Sequence, residues 1–257
     1  MIDNRAVIND GARIAENVEI GPFSIIGAGV EIGAGTRIGS HTVIKGPTRI
    51  GSNNRIFQFC SIGDDPQDKK FSGESESSLE IGNNNTIREF CSINRGTAGG
   101  GGVTRLGDDN WIMAYVHIAH DCIIGNHNVF ANNATLAGHV IIDNYVILGG
   151  FTGVHQFCRI GSCSFSAIAS VIVKDVPPYL LVSGNTATPG GLNREGLKRR
   201  GYGNDTINAL KRTYKTVYRD GLLLKDALEK LQEDAGQYPE VAQFAEFIRN
   251  STRGIVR

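Results

Sequence analysis

An aliphatic residue returns at every sixth position from the start of this chain, at Ile8, Ile14, Ile20, Ile26, Ile32, Ile38, Ile44, Ile50, Ile56 and Ile62. The beat resumes at Ile81, Ile87 and Ile93, and again from Leu106 through Ile112, Ile118, Ile124, Phe130, Leu136, Ile142, Leu148 and Val154 to Ile160. Six matches neither the helical period of about 3.6 nor the strand period of about 2, so each repeat must hold a short strand and a corner, and the chain must coil. Gly follows the beat at Gly21, Gly27, Gly33, Gly39, Gly51, Gly82, Gly107, Gly125, Gly149 and Gly161, which reads as the permissive backbone of a tight corner. Small or thin side chains (Val18, Ser24, Val30, Thr36, Thr42, Thr48) stand two places before the beat, where a narrow interior tolerates little bulk.

A solenoid with an appendage is the organisation such a repeat implies. The 26 basic and 26 acidic residues cancel, which removes an electrostatic case for duplex nucleic acid as partner. From Gly190 onward there are 13 Lys/Arg against 9 Asp/Glu, leaving 13 against 17 in the repeat region. A mildly basic tail thus follows a mildly acidic body. Met1 to Asp10 carry neither the basic nor the apolar part of a signal peptide, and no apolar run is long enough to cross a bilayer, so the expected location is cytoplasmic. Cys60, Cys91, Cys122 and Cys158 all stand two places before the beat, the phase of interior filler, and no pair has zinc or redox spacing.

The repeat breaks twice. Residues 64–80 hold Asp64-Asp65-Pro66 and a Gly73-Glu74-Ser75-Glu76-Ser77-Ser78 run, and residues 95–105 hold four consecutive glycines, a segment expected to be mobile or tightly turned. Both read as loops projecting from the coil. After Pro177-Pro178 the alphabet changes. Asn193 can cap a helix reaching about Arg200, Asp205 a second carrying Ile207, Leu210, Tyr214 and Val217, a third runs through Leu224, Leu228 and Leu231, and Pro239 opens a fourth. The reading is a mainly β domain over 1–190 and a small helical domain over 191–257.

Periodicity does not give the handedness of the coil, and the rule for parallel crossovers points to the right. The pattern of an aliphatic residue, Gly and four variable residues resembles the hexapeptide-repeat acyltransferases. That resemblance implies a left-handed parallel β-helix with 18-residue triangular turns, assembled as trimers, and unpaired strand edges give a separate reason to expect association. On an 18-residue turn, the positions equivalent to His120 are 138 and 156, within one residue of His139 and His155. Three imidazoles are therefore expected to stack along one edge, with His117 nearby and His41 and His127 as unaligned surface residues. Such a column could bind zinc, as in a carbonic anhydrase class with this fold, or perform acid–base chemistry. Asp121 beside His120, and Gly138 one turn on with a backbone N–H to meet an oxyanion, favour the second.

Longer stretches narrow the resemblance. Ile118-Ala119-His120-Asp121-Cys122, the run Ala131 to Val140, Val154-His155-Gln156-Phe157 and Glu195-Gly196-Leu197-Lys198-Arg199-Arg200 together resemble the UDP-N-acetylglucosamine O-acyltransferase family of lipid A biosynthesis. The resemblance implies an enzyme moving an (R)-3-hydroxyacyl group from acyl carrier protein to the sugar 3-hydroxyl, without a cofactor or metal. It implies His120 as general base, Asp121 as its orienting partner and Gly138 as oxyanion donor. Substrate would be held by His117, His139, His155 and Gln156, by Gln67, Asp68 and Lys70 reaching in from a neighbouring subunit, and by Asn193, Glu195 and Arg199. Lys69 stands where the family commonly has an apolar residue. The same resemblance places Lys198, Arg200, Lys211, Arg212 and Lys215 toward the acidic carrier protein and makes Ile168 the residue that limits acyl-chain length, toward the short end of the family's range. The competing readings are an N-acyltransferase of the same pathway, whose members usually carry an extra N-terminal domain, a zinc hydratase, and a non-catalytic scaffold.

Overall fold

Nearly every aliphatic beat residue ends a strand of two to four residues, those beyond the first coil point inward, and each of these strands pairs in parallel with its equivalent one coil away. Ile8 pairs with Ile26, Ile14 with Ile32 and Ile20 with Ile38, a uniform register of 18 residues. The computed structural model describes residues 1–73 and 77–257; the Glu74-Ser75-Glu76 stretch of the first loop lies outside them. Among the described residues the strands form three sheets of nine, eight and ten strands, the faces of a left-handed parallel β-helix. The insertions leave the pairing intact, because across the first loop Ile50 pairs with Ile81 and across the second Ile81 pairs with Leu106.

The prism is filled by the beat. Ile26, Ile44, Ile62, Ile87, Ile93, Ile112, Ile118 and Leu136 are wholly inaccessible, and burying each such side chain stabilises the fold by roughly 1.5–3 kcal/mol. The thin residues two places earlier are equally buried, Ser24, Thr36 and Thr42 among them. On four later coils that place is taken by asparagine. The side chains of Asn54, Asn85 and Asn110 bond in sequence along the axis at 3.0–3.1 Å, and Asn128 donates its backbone N–H to Asn110 Oδ1 at 2.9 Å. All five cysteines are buried free thiols, and burial pushes Cys122 up to about 12, as expected of filler.

Except at Gly63, which follows the beat at Ile62 with φ 74°, the glycine after the beat has a different purpose from the one its pattern implied. Positive φ falls three places after the beat, on Phe23, His41, Asn53, Phe59, Phe90, Tyr115, Asp121 and His139 among others, with φ between 57° and 64°. Gly39 is needed for close approach, since a Cβ there would lie 2.5 Å from the Gln58 nitrogen of the next coil. The left-handed positions instead carry large side chains outward in columns. Phe23, His41, Phe59, Phe90 and Tyr115 form one ladder, with ring centroids 4.8–5.2 Å apart. His41 is therefore exposed but aligned, and so is His127, which stacks on Tyr145 at 4.8 Å.

The last coil gives way to an antiparallel pair, Leu180–Ser183 with Thr188–Leu192, and then to five helices rather than four: α1 Arg194–Arg199, α2 Asn204–Tyr218, α3 Leu224–Lys230, α4 Gln232–Gln237 and α5 Pro239–Arg249. Gly203, not Asp205, is the N-cap of α2, while Asn193 and Pro239 start α1 and α5 as their residue types dictate. The segment after α5 returns to the β-helix, where Ile255 bridges Asp175.

Candidate active site

Asp121 sits at a left-handed corner, φ 59°, immediately after a strand whose inward residue is Ile118. Its side chain is 0% exposed, yet its carboxylate accepts bonds from Thr97 N at 2.9 Å, Thr97 Oγ1 at 2.7 Å and His120 Nδ1 at 2.7 Å. Its own N–H donates to Thr104 Oγ1 at 2.8 Å. A carboxylate can only accept, so the His120 proton resides on Nδ1 and Nε2 keeps a free lone pair. This is the arrangement of a base with its orienting acid.

The four-glycine segment makes that arrangement possible. It turns tightly, with a 3-10 turn over Ala98–Gly100 and Gly102 N donating to Thr97 O at 2.8 Å. Instead of projecting, it closes over Asp121. A Cβ on Gly100 would lie 2.2 Å from Asp121 Oδ2, so only glycine lets Thr97 reach the carboxylate. Thr97 was not evident in sequence; the signal was a lone hydroxyl leading into a glycine run. Ser92 was also missed, and its hydroxyl lies 2.7 Å from His117 Nδ1.

His120 lies over Gly138: a Cβ there would stand 2.6 Å from Cε1 and 2.8 Å from Nε2 of the ring. Among the described residues the Gly138 N–H has no hydrogen-bond partner. His139 meets His120 edge-on, centroids 5.1 Å apart and planes at 90°. Burial lowers the His139 pKa, against the opposing charges of Asp121 and Asp68. His117 is likewise held toward its neutral form by burial.

The expected column of three imidazoles is corrected to two. The positions equivalent to His139 are Asp121 and Phe157, all three with positive φ, so the ring stacked on His139 is Phe157, at 4.4 Å. The equivalents of His120 are Gly138 and Gln156. His155 falls before the corner, is exposed, and lies against Arg253, whose Nη2 is 3.3 Å from its Nδ1. Ligand atoms of His120, Asp121 and His139 lie within 4.8 Å of one another.

The comparisons with known proteins agree with this geometry. A family model described as bacterial transferase hexapeptide matches residues 11–46 and 104–138, and one described as UDP N-acetylglucosamine O-acyltransferase, domain 2, matches residues 175–256. An acyl-(acyl-carrier-protein)–UDP-N-acetylglucosamine O-acyltransferase of Thiobacillus denitrificans is 54% identical over 98% of this chain and 97% of its own. The chain belongs to the UDP-N-acetylglucosamine O-acyltransferase family. The solved UDP-N-acetylglucosamine acyltransferase of Francisella novicida superposes with a TM-score of 0.98 at 47% identity, covering 100% of this chain and 94% of that one. That of Moraxella catarrhalis gives 0.97 at 48%, covering 100% and 99%.

The remaining positions singled out by resemblance to this O-acyltransferase family divide in two. Gln67, Asp68, Lys70, Gln156, Glu195 and Arg199 are exposed side chains, and Asp68 lies near enough to His139 of its own chain for its charge to favour the imidazolium. Asn193, by contrast, is buried, and its amide caps α1 through Gly196 N at 3.2 Å and donates to Cys163 O at 2.9 Å. Of the basic residues, Lys198, Lys211, Arg212 and Lys215 are exposed, with Lys198 3.7 Å from Glu195 and Arg212 paired with Asp234 at 2.8 Å, and Arg200 stacks on Tyr145 at 4.9 Å. Ile168 is 71% exposed beside Gly150.

Proposed function

We propose that this protein transfers an (R)-3-hydroxyacyl group from acyl carrier protein to the 3-hydroxyl of UDP-N-acetylglucosamine, the first step of lipid A biosynthesis, with His120 as general base. The observation that carries the residue assignment is the His120–Asp121 pair at 2.7 Å beside the unpartnered Gly138 N–H. His120 Nε2 takes the proton of the sugar hydroxyl, whose oxygen attacks the thioester carbonyl. The tetrahedral oxyanion meets the Gly138 N–H. Collapse breaks the carbon–sulfur bond, and the departing thiolate takes the proton from Nε2. Asp121 holds the imidazole in the required tautomer and offsets the charge it acquires.

His117 and His139, held toward neutrality by burial, donate to or accept from the sugar rather than compete for its proton. His155, Gln156, Gln67, Asp68, Lys70, Glu195 and Arg199 bind sugar, phosphate and uridine groups, and Ile168 limits the acyl chain. The exposed Lys198, Lys211 and Lys215 of the tail, residues 191–257, meet the acidic carrier.

A homotrimer would cover the aromatic ladder, in which Phe23, Phe59, Phe90 and Tyr115 are each 44–54% exposed. Among the described residues no helix is long and apolar enough to cross a membrane, and the substrates belong to the cytoplasm. The N-acyltransferase and hydratase readings are not favoured, because the relatives matched along the whole chain carry the O-acyltransferase name. Purified protein given UDP-N-acetylglucosamine and a panel of 3-hydroxyacyl carrier proteins tests the proposal: a product heavier by one 3-hydroxyacyl group supports it, and absence of transfer from every donor refutes it.

A further inference from the structure

Arg253 belongs to the segment that returns from the helical domain to the last coils. The backbone just after it is pinned by Asp175 N donating to Gly254 O at 3.0 Å and Val256 N donating to Asp175 O at 2.9 Å. Asp175 also accepts from Ser251 Oγ at 2.6 Å and from Arg159 N at 2.8 Å. The guanidinium is consequently delivered to one place. Nη2 lies 3.3 Å from His155 Nδ1 and 3.5 Å from Val173 O. Among the described residues it has no carboxylate partner, and its Nε is buried without any. Arg253 is thus a half-buried cation whose neighbours among the described residues include the His155 imidazole nitrogen and the Cys158 thiol but no acid.

The two contacts of His155 Nδ1 demand opposite tautomers. The Gln156 carbonyl, 3.1 Å away, could only accept a proton from Nδ1. The guanidinium cannot accept and does not lose its proton, so its contact is favourable only if Nδ1 is a bare lone pair. A bond with a charged donor is roughly twice as strong as a neutral one. We infer that Arg253 is a positioning residue that keeps the Nδ1 lone pair of His155 bare and its proton on Nε2, so that the imidazole presents a donor to an oxygen of the substrate. The inference rests on the reading of His155 as a substrate-binding residue, and it links the segment that follows the helical domain to the sugar-nucleotide site.

The test uses the full-length enzyme labelled with nitrogen-15 histidine, with His155 assigned by His155→Gln. Wild type and Arg253→Lys should show a neutral Nε2–H His155, and Arg253→Gln should move the proton population toward Nδ1. In kinetics, Arg253→Gln should lower kcat/KM for the sugar nucleotide by about tenfold, the loss expected of one orienting hydrogen bond, mostly through KM and with an unchanged melting temperature. Arg253→Lys should recover part of it. The Arg253→Gln/His155→Gln double variant should be no worse than His155→Gln alone. An Nδ1–H His155 in wild type, an unaltered tautomer in Arg253→Gln, or losses that add in the double variant would overturn the inference. A changed tautomer combined with a kinetically silent His155→Gln would instead refute the substrate-binding role of His155, leaving the tautomer control standing.

Discussion

Replacing Thr97 by Val probes the base without touching it. Val keeps the shape and the backbone N–H that donates to Asp121 Oδ1 at 2.9 Å, and removes only the hydroxyl that donates to Oδ2 at 2.7 Å. The carboxylate is wholly inaccessible, so water cannot replace the lost donor. A hydrogen bond to a charged group contributes about 1.5–3 kcal/mol. If Asp121 needs that bond to fix the His120 tautomer, kcat should fall by roughly 10- to 150-fold. KM for the sugar nucleotide should hold, because Thr97 lies on the far side of Asp121 from the free Nε2. Thr97→Ser, which retains the hydroxyl, should restore most of the rate. Steady-state assays with both substrates varied, alongside a melting curve, give the answer. A folded Thr97→Val enzyme with kcat within about twofold of wild type would refute the claim that the glycine loop orients the base.

Other expectations follow from the same geometry. Gly138→Ala should cut kcat at least about a hundredfold, because the new Cβ would lie 2.6 Å from the His120 ring; normal turnover in assay would contradict the close approach. Ile168→Gly should shift donor preference toward longer 3-hydroxyacyl chains, measured by product mass from mixed donors. His117 and His139 have lowered pKa values, so the unfolded chain binds more protons and stability falls as pH drops below about 6.5. Melting temperatures at neutral and mildly acid pH should therefore converge less in wild type than in His117→Gln/His139→Gln.

The period of six made the coil, its inward residues and its thin second positions legible, because those follow from repetition alone. Handedness did not, and came from resemblance. The glycine pattern was visible but its reason was not: Gly39 relieves a clash between coils, a contact 19 residues away, while the strained φ is carried by residues such as His41 and Asp121. The His120–Asp121 pair and Gly138 were legible because adjacency and an 18-residue turn place them together. His155 was misplaced by a one-residue tolerance that a corner does not allow. Thr97, Ser92 and Arg253 reach the site only through a closed loop, a stacked strand and a returning segment, which no local pattern encodes. Asn193 was legible as a cap from its residue type, and its amide does cap α1.

The central claim is that His120 removes the acceptor's proton while Asp121 fixes its tautomer. Turnover of His120→Ala with saturating UDP-N-acetylglucosamine and 3-hydroxyacyl carrier protein tests it most directly, with circular dichroism to verify folding. Loss of at least about a thousandfold in a folded protein is the predicted result, and turnover near that of wild type would contradict the account.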